Sequence, residues 1–482
     1  MLLLWRIRMI STFFAAAALA LLAMSGCQTD GNNRNGSGLV TVTISDPPTC
    51  RGASAPGALN LDAVWVTVTK VRAHISPAAN GGDGGWVDLV DLTGSPLQLN
   101  LLDIASTQCT LATLGSTSDL PAGNYQQIRL HLLSNTPAIG EILPATNECG
   151  PGGFNCVVLS GSLETHILEL SSQAQNGIKI PPGRIAGGAI SLEVGQTADI
   201  NIEFSGCDSV VRQGENSYRL LPTLHAGEVT VGGEAINGRI VDMGSGVPLP
   251  ADAAIIISAQ QPDSGDPSIN RTVLQTLANP DGTFRLCPMP DGDYDLVAAA
   301  VDAAGFSYHA TVTFAVPSGT DVGEIPLKLA DVPATIEGQV TTTDPDGNPT
   351  SADIQLAARQ GATPDGGTEV SVVIPVFGVS TSNVATAAAT CPAGTHCASY
   401  TLVVPSGNPK VGTFDAGGTT YVAPATPPVL YVVGAQAFVP DGTHEPNCDP
   451  SELASDPVDV TAGAGMSTAA TDLTFTGCQA GM

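Results

Sequence analysis

The sequence predicts an all-β protein, with a larger β-rich, sandwich-like domain followed by two smaller β-sandwich modules. Two observations carry this. Val, Ile and Thr recur in short runs that alternate with polar residues, the period of a half-buried strand, and no long helical periodicity follows the first residues. Turn formers are abundant, with Gly 54 and Pro 36, while charged residues make up only 13% of the chain. A hydrophobic content of 43% is enough for packed cores, and 482 residues correspond to about three domains.

Residues 1–26 read as a signal peptide. Arg6 and Arg8 give a positive start, and residues 10–23 form an apolar run too short for a comfortable membrane span. Ser25 and Gly26 then lead into Cys27, and the stretch resembles the bacterial lipobox, with Met24 where Leu, Val or Ile is usual. The resemblance implies cleavage before Cys27 and acylation of that residue. Several acyl chains anchor stably where one holds only marginally. The bland alternative is an ordinary secretory signal with a fortuitous cysteine. Gln28, standing where enteric bacteria place Asp for inner-membrane retention, implies the outer membrane, and residues 27–37 read as a flexible polar tether.

The formal charge is −28, and removing two leader arginines takes it to −28 − 2 = −30. Such a surface is expected to repel nucleic acid and anionic lipid headgroups, and no basic patch is visible along the chain. Of 11 cysteines, 11 − 1 = 10 remain after Cys27, an even number that suits disulfides in an exported protein. Cys149 with Cys156 and Cys391 with Cys397 could clip local loops, and Cys448 with Cys478 could staple the C-terminal module. Cys50, Cys109, Cys207 and Cys287 stay unassigned. Zinc is disfavoured, because no CxxC pair occurs and no His stands at ligand spacing from two cysteines.

In the first domain, 38–232, residues 39–45 and 63–75 alternate as strands. Val64, Val66 and Val68 share one face. Ile128, Leu130 and Leu132 oppose Gln127, Arg129 and His131, and Ala198, Ile200, Ile202 and Phe204 repeat the pattern. The segments GLVTVTISDPP, AVWVTVTKVRAHI, GWVDLVDL, LPAGNYQQIRLHL, GIKIPPG and ADINIEF…YRLLPTLHAGEV resemble, in that order, a bacterial domain of unknown function. It is the uncharacterised family numbered four-three-eight-two, typically found just after a lipobox. The resemblance implies no activity and carries over no catalytic residue. The insert around Cys149 and Cys156 departs from the usual spacing.

The text changes near Glu234. In 233–331 the order GRIVD…GVPLPADAAIIIS…TLANPDGTFRLCPMPDGDYDLVAAA resembles the carboxypeptidase regulatory-like module, which implies a transthyretin-type Greek-key β-sandwich. Phe306, Tyr308, Ala310, Val312, Phe314 and Val316 are expected on one face of a single strand, with Ser307, His309, Thr311 and Thr313 on the other. A second, divergent sandwich is expected over 332–482, where Gly338 echoes Gly238 and residues 399–405 stand for the earlier DYDLVAA.

Chemistry is sparse. Zinc-protease, nucleophile-elbow, P-loop and dinucleotide motifs are absent, and His74, His131, His166, His225, His309, His396 and His444 are scattered. Asp291, Asp293 and Asp295 are candidates for calcium, though hairpin turns need the same residues. Trp86, Tyr421 and Tyr431 are candidates for stacking on a sugar, whereas Phe306 and Tyr308 are expected in the core. An isopeptide staple is not expected in 233–331, since Arg239 stands where the lysine would be. The expectation is therefore a lipid-anchored, non-enzymatic envelope protein that binds or scaffolds. Its partners are the membrane, through the anchor, and a protein or glycan; it takes no nucleic acid and no cofactor. A carbohydrate-binding lipoprotein is the second expectation and an extracellular hydrolase the third.

Overall fold

A computed structural model describes residues 37–46, 61–104, 109, 111–161, 164–170, 177–212, 217–220, 224–229, 234–376, 383–384, 391–439 and 448–479. Cys27, the signal peptide and all but the last residue of the tether lie outside the described residues, as does Cys50. The chain is all-β, and among the described residues no helix is long and apolar enough to cross a membrane.

The alternating runs of the first unit become two facing sheets. One has four strands in the order Leu224–Val229, Thr197–Phe204, Ser37–Ser45 and Ala112–Pro121. The other has nine and is built around the 14-residue strand Leu61–His74, which pairs with Gln127–Leu132, Val87–Asp91, Leu97–Asn100 and Cys156–Leu159. Val40, Val42 and Ile44 meet Val64, Val66, Val68, Ile128, Leu130, Ile200 and Phe204 in one core.

A Pro-x-Gly-x-Tyr corner occurs in each of the first two units. The Tyr125 hydroxyl donates to the Pro121 carbonyl at 2.5 Å, and the Tyr294 hydroxyl to the Pro290 carbonyl at 2.7 Å. Each ring is buried, and its polar end closes on the turn four residues upstream, which satisfies the hydroxyl and fixes the strand entry.

The second and third units share a pairing plan. Glu234–Asp242 lies antiparallel to Thr283–Met289 and parallel to Asp321–Leu329. Likewise, Ala334–Thr342 lies antiparallel to His396–Val404 and parallel to Ser467–Ala469 and Leu473–Phe475. Gly238 and Gly338 recur for a steric reason. Each is paired with an aromatic on the neighbouring strand, Phe284 and Tyr400, and a Cβ would run into that ring.

Three expectations are corrected here. First, residues 399–405 do not take the place of DYDLVAA. They pair with the opening strand as Thr283–Met289 does, and the counterpart of Asp293–Val301 is Leu430–Phe438, which pairs with Ala352–Ala362. Second, Lys410–Thr413 and Tyr421–Val422 extend the sheet of the second unit, because Thr311–Pro317 accepts Lys410–Thr413 as a parallel neighbour. Third, residues 306–316 are not one strand with one apolar face. Tyr308–His309 pairs into one sheet and Thr311–Pro317 into the other, and Ala315, at φ 57, marks a bulge that reverses the alternation before Val316. Phe306 is 40% exposed rather than core.

That second sheet is buried on both faces. Ile255, Ile257, Leu296, Ala298 and Ala300 face Ile236, Phe284 and Leu286 of their own unit. Val297, Ala299, Val301, Ala310 and Val312 share a core with Ala352, Val433 and Ala435 of the third. Thr311 and Thr313 are fully buried at the same sheet. Gln260 clips the seam, its amide donating to the Val373 carbonyl at 2.6 Å and its oxygen accepting from the Val373 N–H at 2.9 Å.

Two further ties join the units. A disulfide links Cys109 of the first to Cys287 of the second. At a polar knot, Arg271 of the second unit binds Asp263 at 2.8 Å and also Glu452 of the third, which accepts from Arg359 at 2.9 Å. Arg184 of the first unit reaches Gln436 of the third at 3.3 Å.

Candidate ligand-binding face

The outer face of the nine-stranded sheet concentrates cations. In Leu61–His74 the residues alternate, so Val71 and Ala73 point into the core and Lys70, Arg72 and His74 point away. Gln127–Leu132 behaves the same way, with Gln127, Arg129 and His131 outward. Register sets Lys70 beside His131, Arg72 beside Arg129 and His74 beside Gln127. Ile178–Ile180 then adds Lys179 on the far side of Arg129, and Val87–Asp91 adds Asp88 beside Arg72. One row across four strands therefore reads Lys179, Arg129, Arg72, Asp88. Strands distant in sequence thus bring these cations together, although Arg129 is only 8% exposed and Lys70 and Arg72 are paired with Asp88.

Trp86 sits within this row. The guanidinium carbons of Arg72 and Arg129 lie 5.3 and 5.1 Å from its ring centroid, and the His74 ring is tilted against it at 5.1 Å. The indole N–H donates to the Asn80 carbonyl at 2.8 Å. Residues 76–86 are fastened beneath by Arg129 and Gln127, which donate to the Ala79 carbonyl at 3.2 and 3.1 Å. The Ser76 N–H donates to His74 Nδ1 at 2.9 Å, which leaves His74 Nε2 to donate to the Gly84 carbonyl at 3.1 Å. Lys70 and Arg72 are steadied by Asp88 at 3.1 and 3.0 Å, with Asp91 3.7 Å from Lys70. Burial, aided by Arg72, Arg129 and Lys70, pushes the His131 imidazole down to about 4, so it stays neutral at physiological pH.

The other candidates lie apart. Tyr431 is fully buried and its hydroxyl donates to the Pro405 carbonyl at 2.8 Å, so it offers no stacking surface; this corrects its place among the sugar candidates. Tyr421 is half-buried, with its hydroxyl 2.9 Å from Thr313 Oγ1 and the Lys410 ammonium 5.6 Å from its ring centroid. Asp291, Asp293 and Asp295 do not form a calcium cradle. Asp295 turns inward, accepting from the Ala315 N–H at 3.0 Å and the Asn270 amide at 2.7 Å, and burial pushes its carboxyl up. Asp291 and Asp293 stay exposed on the Tyr294 corner, where Gly292 takes φ 146. Among the described residues no group of three His, Cys, Asp or Glu is placed to hold a metal ion.

Disulfides link Cys149 to Cys156, Cys391 to Cys397 and Cys448 to Cys478. The Cys109–Cys287 bond, 178 residues apart, was beyond sequence reasoning. Also missed was a buried couple, Glu203 and His225, at 2.8 Å on paired strands.

No curated protein matches the chain. Solved structures that resemble it include the Bacillus anthracis TIE protein, at 10% identity and a TM-score of 0.16, covering 92% of this chain and 51% of that protein. The chain thus spans about half the length of that relative. A putative adhesin from Bacteroides ovatus is 12% identical with a TM-score of 0.15, covering 48% of this chain and 84% of the adhesin. Shaft pilin SpaA from Lactobacillus rhamnosus GG is 11% identical with a TM-score of 0.16, covering 62% and 98%. At scores this low, none of these likenesses bears on the function of this chain. Residues 37–222, which include Lys70, Arg72, Trp86, Arg129 and Lys179, match the family described as Domain of unknown function (DUF4382).

Proposed function

We propose that this chain is a non-enzymatic cell-envelope protein, held by acyl chains on Cys27 at the outer membrane and serving as a binding or scaffolding component. The observation that carries the reading is the fixing of three β units to one another. A disulfide, a sheet buried on both faces and a knot of Arg271, Arg359, Glu452 and Asp263 tie them together. Such ties resist hinge motion and suit a stiff body that projects a surface from its anchor. The shared pairing plan supports reading 233–331 as a carboxypeptidase regulatory-like module and 332–482 as its divergent copy.

Feeding expressing cells an alkynyl palmitate analogue tests the anchor. The wild-type protein takes up label and fractionates with outer membrane, and Cys27→Ser abolishes both. A wild-type protein that stays unlabelled removes the lipoprotein reading. The second reading, carbohydrate binding, is favoured by the ordered cations around Trp86, and a glycan array on the chain from residue 28 onward tests it.

A further inference from the structure

We infer that the exposed turn 138–143 of the first unit is a second membrane contact, its aliphatic side chains dipping into the hydrocarbon edge of an uncharged bilayer. The inference rests on the anchored reading above, which holds the body at a membrane. The Glu141 N–H donates to the Ala138 carbonyl at 3.1 Å, and Gly140 takes φ 97, the positive value a type II turn needs at its third position. Ile139, the second residue of that turn, is fully exposed, and Ile142 and Leu143 beside it are 52% and 50% exposed. A Cβ added at Gly140 would meet nothing within 4 Å. Single exposed aliphatics are ordinary. Three of them in 139–143, with every residue of 138–143 exposed, form a patch the fold does not use.

The tip stands on a fixed base. Asn135 Oδ1 accepts from the Phe154 and Asn155 N–H groups, both at 2.9 Å, while its amide donates to the Leu168 carbonyl at 2.8 Å. The Asn147 amide donates to the Gly150 and Gly153 carbonyls at 2.8 and 3.0 Å, and the Cys149–Cys156 disulfide closes the returning leg. The apolar tip is therefore presented in an ordered loop, with less entropy to lose on contact.

The chemistry of the loop selects the occupant. Residues 136–146 include no Trp, Tyr or Arg, the usual anchors of protein interfaces. Their one charged side chain, Glu141, turns back to accept from the Ala138 N–H at 2.8 Å. A protein partner has few polar side chains to read here, and hydrocarbon needs none. Residues 133–148 hold Glu141 and Glu148 and no Lys or Arg, in a chain of net charge −28, so anionic headgroups are disfavoured. The dip is shallow, because the open backbone groups of the turn must stay hydrated. A weak contact suffices, since the acyl anchor and its tether make it an intramolecular one.

The chain from residue 28 onward keeps every described residue and lacks the acylated cysteine, so it isolates the turn. It is sedimented with phosphatidylcholine vesicles and, separately, with phosphatidylglycerol vesicles. It binds the neutral vesicles, and the anionic ones at least threefold less. Ile139→Asp weakens binding at least tenfold and leaves Tm unchanged, because an exposed tip residue supports no packing. Ile139→Trp reports position: the emission it adds moves to shorter wavelength when neutral vesicles are present. No binding to neutral vesicles, undiminished binding by Ile139→Asp, tighter binding to anionic vesicles, or an unshifted emission would each overturn the assignment. A lipid-free dimer that Ile139→Asp abolishes would do the same, marking a second copy as the occupant. The Cys27 labelling experiment reads acylation alone, so failure of the anchor and failure of the turn are told apart.

Discussion

Replacing Glu452 by Gln probes the knot that joins the second and third units. One carboxylate oxygen accepts from Arg359 at 2.9 Å, and the other from Arg271 and, at 3.3 Å, from the Gln436 amide. The Arg359 side chain is 4% exposed and Glu452 26%. Removing one partner of a fully buried pair costs about 3–5 kcal/mol, mainly by stranding the other charge. Here Arg271 retains Asp263 at 2.8 Å and Glu452 is partly wet, so about 2–3 kcal/mol is expected. Burial pushes the Glu452 carboxyl up, but hydrogen bonds and charge from Arg271 and Arg359 outweigh it and hold the group below its ordinary 4.5. A depressed carboxyl stabilises above its unfolded pKa and ceases to as pH falls through the folded value. The gap between wild type and Glu452→Gln therefore closes below pH 4.5. Urea unfolding followed by circular dichroism at pH 7 and pH 3.5 measures it. Adding Arg359→Met recovers at least half the loss, because no stranded charge remains. A cost under about 0.5 kcal/mol, or a double variant weaker than the single, refutes the account.

Three other expectations follow from the same contacts. Replacing Cys109 and Cys287 by Ala opens a loop of 178 residues, worth about 5 kcal/mol on a chain-entropy basis; limited proteolysis should then separate the first unit from the second, and an unchanged digestion pattern would speak against the tie. Lowering the pH from 7 to 4 should cost the native state roughly 3 kcal/mol through His131, because the unfolded imidazole takes a proton near 6.5 and the folded one only near 4; His131→Gln should flatten that slope. Residues 234–331 expressed alone should aggregate, since Val297, Ala299, Val301, Ala310 and Val312 lose their cover; a monomer with a dispersed amide NMR spectrum would sink the shared-core description.

What could be read from the sequence was local. Period-two runs such as 126–132 and 198–204 encode which residues face inward, because strand alternation is fixed by backbone geometry. The Pro-x-Gly-x-Tyr corners are equally local, and Gly238 and Gly338 were visible as a matched pair. What escaped was pairing. Nothing near residue 410 says that its strand will join Thr311–Pro317, nearly a hundred residues earlier, and the spacing around residues 399–405 hid Leu430–Phe438 as the true counterpart of Asp293–Val301. Tyr431 and Phe306 exchanged places for the same reason. Neither residue shows in its own neighbourhood whether a second sheet will cover it, and only Tyr431 is covered.

The cationic face shows how far partner choice can alter a reading of charge. Each strand displays its outward residues plainly: Lys70, Arg72 and His74 on one, Gln127, Arg129 and His131 on the other. Neither strand alone is basic enough to stand out in a chain of net charge −28. Pairing them in register doubles the density, and adding Lys179 puts Arg129 between two cations. Arg184, Arg271 and Arg359, gathered at the junction, are the second concentration. The acids are numerous and most are solvated, so removing one of the solvated ones changes little, unlike Glu452 at the junction. Cations are few, and seven of the 17 Lys and Arg residues sit at a joint or on one face. Substituting those seven, rather than the surface carboxylates, is the way to separate what holds this protein together from what it holds.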